Sequence, residues 1–190
     1  MFVGGAVHSL RAACTVGALA CLLSGCAIDP WRDALEVSAA YSRAIEAGDV
    51  DTIMELTDPA LLARGDPASF REVVGGIFAN PGPDVISIRD EARSISEPFV
   101  DAGGMHYFVE GTRTTTRADG TRMEVDNFYL LTSRDFGRTW RVFDNFCADE
   151  RWIRDIAPGW SGTPAMPRQS VRITKVEATI RSASPAAESK

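Results

Sequence analysis

The chain is poor in the residues that build metal and nucleophile sites. Among 190 residues there are two His, His8 and His106, and four Cys. So little imidazole excludes a multi-His metal centre and multi-His catalysis. Lysine is nearly absent, with only Lys175 and Lys190, so the basic residues are almost all Arg. There is no Gly-rich phosphate loop and no Ser on a nucleophile elbow. No apolar run reaches the roughly 20 residues that cross a bilayer as a helix. Basic charge is in the minority, 20 Lys+Arg against 26 Asp+Glu, for a net charge of −6. An acidic chain is a poor partner for nucleic acid, whose phosphates require a basic face.

What is present starts at the N-terminus. A short segment with Arg11 leads into an apolar run from Ala12 to Leu23, and Leu23-Ser24-Gly25-Cys26 follows. This stretch resembles the lipobox of bacterial lipoproteins. The resemblance implies cleavage before Cys26, acylation of that residue, and residues 1–25 acting as address rather than fold. Plain secretion after Ala18-Leu19-Ala20 is the alternative. One acyl chain holds a protein only marginally, and several make a stable anchor. Ala27 after the Cys implies the outer membrane, on its periplasmic side, in a Gram-negative host. Otherwise the domain stands on the outer face of the cytoplasmic membrane. Loss of residues 1–25 removes Arg11, Cys14 and Cys21, leaving 19 basic against 26 acidic residues and a net charge of −7. With Cys26 acylated, Cys147 stands alone and no intramolecular disulfide forms.

The 165 residues after the signal suit one domain. Residues 26–30 read as a lipidated tether, 31–158 as the domain, and 159–190 as a Ser/Pro/Ala-rich tail. In that tail Val171 and Ile173, with Val176, Ala178 and Ile180, leave a short strand or disorder open. The first half reads as helices. Asp29-Pro30, Asp58-Pro59 and Asp66-Pro67 are capping acids before first-turn prolines. Ala34, Val37, Tyr41, Ala44 and Ile45 form one helical stripe, ended by Gly48, and Asp49 caps the next helix. Phe70, Val73, Val74, Ile77 and Phe78 mark a later helix stopped by Asn80-Pro81-Gly82-Pro83.

The second half reads as antiparallel strands over 85–96, 105–116, 121–133 and 138–144. Along the third, Met123, Val125, Asn127, Tyr129 and Leu131 share one side, and Phe128 and Leu130 the other. A closing helix over 149–156 would point Trp152 inward. The pattern predicts an α+β fold, helices packed on a strongly curved antiparallel sheet.

The segment Tyr41-Ser42-Arg43-Ala44-Ile45-Glu46-Ala47-Gly48-Asp49-Val50-Asp51 resembles the first-helix signature of the nuclear transport factor 2-like superfamily. That superfamily includes ketosteroid isomerases, SnoaL-type cyclases and many binding proteins. The resemblance covers roughly residues 31 to 152 and implies a cone with a pocket, and often a homodimer. It aligns Tyr41 and Asp126, in Val125-Asp126-Asn127-Phe128, with the two oxyanion donors of the isomerases. In those enzymes an apolar site keeps the donor carboxylic acid neutral, so that it can give a hydrogen bond. Asp66 is the nearest acid to the base those enzymes need, and it also reads as a helix cap. Asp126 has a plainer reading as partner of an Arg such as Arg113 or Arg141. Asn127, Arg141 and Asn145 complete the candidate pocket. Neither a cofactor nor a metal is implied.

Three functional readings follow: a lipid-anchored envelope protein binding a small apolar ligand or a protein partner, an isomerase or cyclase on a carbonyl compound through Tyr41 and Asp126, and a structural envelope module with a filled pocket. One further motif, Ser133-Arg134-Asp135-Phe136-Gly137-Arg138-Thr139-Trp140, resembles the Asp-box of sialidase propellers. A propeller needs several blades, and this chain has one copy, so the motif reads as a hairpin device.

Overall fold

The computed structural model describes residues 29–144 and 150–175. The expected acylation site Cys26, Cys147 and the candidate Asn145 lie outside them. Five α-helices, one π-helix and six strands are described in the order α1 (Pro30–Ala47), α2 (Val50–Leu56), α3 (Pro59–Leu62), α4 (Pro67–Val74), the π-helix (Gly75–Ala79), β1 (Val85–Ile95), β2 (Phe99–Asp101), β3 (Gly104–Arg117), β4 (Thr121–Ser133), β5 (Arg141–Asp144), α5 (Glu150–Ile156) and β6 (Ser170–Lys175). The fold is α+β.

Each early helix starts where the sequence places a capping acid. Asp29, Asp49, Asp58 and Asp66 accept backbone N–H bonds at the starts of α1 to α4, and Pro follows three of them. Gly48 ends α1 at φ 65°, the left-handed region that glycine enters without a β-carbon clash. A β-carbon there would stand 2.8 Å from the Phe78 carbonyl oxygen and 2.9 Å from Ala79 Cα. The corner between α1 and α2 is therefore pressed against the end of the π-helix. The apolar spacing that continues from Phe70 to Phe78 does not separate α4 from that π-helix, since Ile77 and Phe78 stay on the inward side of both.

The sheet is open and antiparallel, with β1, β3, β4 and β5 side by side. β2 pairs with the start of β3, continuing the edge held by β1. β6 pairs with β4 from Thr121 to Asp126, continuing the edge held by β5. The three-residue β2 is too short to carry an alternation signal, so the sequence does not announce it. The packed chain runs past the expected boundary at 158: Trp160 is buried, and β6 is a strand of the same sheet.

Alternation along β3 and β4 divides the core in two. Tyr41, Ala44 and Ile45 of α1 pack with Val109, Tyr129, Leu131 and Val142 on one face. Phe108, Phe128, Leu130 and Phe143 pack with Ile153, Ile156 and Trp160 on the other. In α5, Ile153 and Ile156 are buried, and Trp152 is half-buried, packed against the same core with its ring 6.2 Å from that of Phe143.

The β4–β5 hairpin explains the Asp-box residues. Asp135 accepts N–H bonds from Arg138 (3.1 Å) and Thr139 (2.8 Å) and hydroxyl bonds from Ser133 and Thr139, both 2.8 Å. Those donors hold its carboxyl down at about 2. Trp140 is buried beneath the turn.

Candidate functional site

Two strand residues of opposite charge point toward α1. Asp90 lies two positions after Ile88 on β1, and Arg113 two after Gly111 on β3, so both face the helices. Arg113 donates through Nε to Asp90 (3.0 Å), and through Nη2 to Asp144 of β5 (3.1 Å) and to the Tyr129 hydroxyl (3.0 Å). Asp90 also accepts from the Ser42 hydroxyl (2.8 Å) and from the Tyr129 hydroxyl. Tyr41 donates to Asp144 (3.3 Å), with its ring edge-on to Tyr129. The Phe78 ring lies 4.9 Å from the guanidinium.

Burial has consequences for every member. It pushes the Tyr41 phenol well above its usual value, and the Asp144 carboxylate adds to the push. Burial raises Tyr129 likewise, against the pull of Arg113. Burial alone would favour a neutral Arg113, but Asp144, Tyr129 and Asp90 outweigh it and hold the guanidinium charged. At neutral pH the cluster therefore holds an arginine cation and two neutral phenols, gathered around the side chains of Asp90 and Asp144.

Two cavities flank this cluster, and Ile77 and Phe78 of the π-helix line both. The larger, about 570 Å³, lies between the π-helix and the far ends of β1, β3, β4 and β6. Its walls are mainly apolar, with Ile88, Met123, Val125 and Val171, and Arg113 and Asn127 are its inner polar members. Asn127 is 6 % exposed, and neither its amide oxygen nor its amide nitrogen has a hydrogen-bond partner. Leaving both halves of a buried amide unbonded costs on the order of 1–3 kcal/mol per group. The smaller cavity, about 340 Å³, is lined by Tyr41, Asp144, Asp66, Phe70 and Trp152, with the Arg64 guanidinium 4.6 Å over the Trp152 ring.

The structure separates the sequence-derived candidates. Asn127 lines the larger cavity; Tyr41 and Asp66 line the smaller one. Asp126 and Arg141 stand on the other face. Asp126 alternates with Asn127, so it shares the face of Phe128, where Arg93 (3.0 Å), the Thr112 hydroxyl (3.1 Å) and the Ser170 hydroxyl (2.5 Å) donate to it. Ser170 first, then Thr112, hold that carboxyl below the usual range. Tyr41 and Asp126 therefore do not meet, and the Arg that pairs with Asp126 is Arg93 rather than Arg113 or Arg141. Arg141 shares the face of Phe143 and donates to the Trp140 carbonyl oxygen (3.0 Å). Asp66 accepts from the Ser69 hydroxyl and amide and from the Ala68 amide, which lower its pKa. A proton acceptor needs the opposite shift.

The cluster of Asp90, Arg113 and Asp144 is hidden from sequence reasoning because its members lie on three strands distant in sequence. The available signal was phase: a charge two residues from an inward apolar position points inward too. Among the described residues no group of three or more His, Cys, Asp and Glu is placed to hold a metal ion, and no helix is long and apolar enough to cross a membrane. No protein-family model matches the chain. No curated protein matches it, and no solved structure does.

Proposed function

We propose that this chain is a lipid-anchored protein of the bacterial cell envelope whose domain binds a small apolar or amphipathic ligand. The observation that carries the reading is the larger cavity, with its apolar walls and the unbonded amide of Asn127. Its volume of about 570 Å³ falls within the range of small-molecule sites. An apolar body fits the walls, and a group that both donates and accepts fits the amide. The cone architecture belongs to the same reading. Register shifts in β1 between Val85 and Ser87 and between Ala92 and Ser94 are bulges of the kind that bend a strand over a helix layer. Acylation at Cys26 and the envelope location rest on the lipobox-like Leu23-Ser24-Gly25-Cys26.

Native mass spectrometry of the full chain, purified from membranes of its host, tests the binding function. The expected result is a retained small molecule that Val125→Trp, which fills the cavity, releases without loss of secondary structure. A protein of bare mass that also takes up no apolar fluorophore would overturn it.

A further inference from the structure

Two aromatic side chains stand uncovered where the chain enters the domain. Trp31, in the first turn of α1, is 50 % exposed, and Phe136, at the tip of the β4–β5 hairpin, is 57 % exposed. They belong to one surface. Gly137 follows Phe136, Pro30 precedes Trp31, and a β-carbon on Gly137 would stand 2.8 Å from Pro30 Cβ. Phe136 also has φ 55°, a left-handed conformation that is costly for a bulky residue. The turn does not require a phenyl ring there, since Ser133, Asp135 and Gly137 carry its hydrogen bonds. An exposed aromatic ring held in a costly conformation points to a role outside the fold.

We propose that this surface rests on an anionic phospholipid bilayer, with Trp31 and Phe136 at the level of the headgroups. The proposal builds on Cys26 as the acylated residue. Two residues, Ala27 and Ile28, separate Cys26 from Asp29, and the steps between them reach roughly 11 Å at full extension. The headgroup layer of one leaflet is about 5–8 Å thick. The start of α1 therefore cannot stand far from the lipid, and the side chains around Pro30 meet the bilayer first. Aromatic rings are favoured at that depth, where one part of the ring is apolar and the other wet. The charges agree. Arg134 and Arg138 are exposed on either side of Phe136 and suit anionic headgroups. Arg134 also reaches Asp58 (3.3 Å), while Arg138 makes no ion pair among the described residues. Asp135 keeps its negative charge while accepting the hydrogen bonds of its own turn, and Asp29 caps α1, so Arg134 and Arg138 meet the headgroups as two local cations rather than as a net positive surface.

Depth-dependent quenching tests the surface. The full chain is reconstituted into vesicles of phosphatidylethanolamine and phosphatidylglycerol, with or without brominated acyl chains. Tryptophan emission is expected to be quenched by the brominated lipid. Trp31→Phe should abolish that quenching, because Trp140 and Trp160 are buried in the fold and Trp152 lies under the Arg64 guanidinium. Phe136→Trp added to Trp31→Phe should restore it. Quenching that ignores Trp31→Phe and gains nothing from Phe136→Trp would overturn the proposal. Incorporation of labelled palmitate, and its loss in Cys26→Ala, reports on the anchor separately. Label without Trp31 quenching removes the surface and leaves the anchor. Trp31 quenching without label removes the anchor and leaves the surface.

Discussion

The two ends of β4 share one strand and one pairing partner yet live in different surroundings. From Phe128 to Ser133 every residue is buried, with α1 on one face and α5 with Trp160 on the other. From Thr121 to Val125 nothing is fully buried: one face lines the larger cavity, and the other joins a polar surface with Arg89, Glu91 and Thr114. β3 bonds both ends equally, so ladder hydrogen bonds do not make the difference. Packing partners do. One end is a stability element, and the other is held open at a cost in burial.

The largest expected effect separates the two ends directly. Phe128→Ala should destabilise by about 3–5 kcal/mol, the cost of a large void in a closed core. Val125→Ala, at the open end, should cost less than about 1 kcal/mol. Equal shifts in denaturant midpoint would break the comparison. At the boundary, Arg113→Met leaves Asp90 and Asp144 buried without their cation, and a loss of about 3–5 kcal/mol is expected. Thermal melts of Arg113→Met check this. A near-neutral result would show that water reaches the pair from a cavity.

A smaller effect is a pH dependence confined to the closed end. His106 is buried there, its ring stacked on Phe99, with Nε2 3.1 Å from Asp101. Burial lowers its pKa, and Asp101 only partly opposes this. The unfolded chain, titrating at about 6.5, then binds more protons than the folded one. Stability should fall as pH drops below about 6.5 and toward the lower folded value. His106→Gln should flatten that slope in melts taken from about pH 7.5 to 5.5.

The smallest change is expected at Asn127. Asn127→Leu removes an unbonded amide of similar shape and should leave the empty protein as stable or up to about 1–2 kcal/mol more so. It should also weaken ligand retention. A clear destabilisation would mean that the amide is already satisfied by ordered water.

The closed end was largely legible in the sequence. Alternation from Met123 to Leu131 assigned both faces of β4, and the capping acids placed α1 to α4. The site was legible only in pieces. Asn127 followed from that alternation, but Asp126 entered through a resemblance that ignored it, and the strand's two-residue period put it opposite Tyr41. The Arg113 cluster needed pairings between β1, β3 and β5 that no local pattern encodes.

Gly48 ties these regions together. Its α-carbon carries only hydrogen where the backbone of Phe78 and Ala79 crosses it, and Phe78 forms part of the wall dividing the two chambers. The thickness of that partition is thus fixed far upstream in the chain, by a bare methylene acting as a spacer. Enlarging the spacer by one carbon would shift the wall and resize both rooms without altering any residue that lines them.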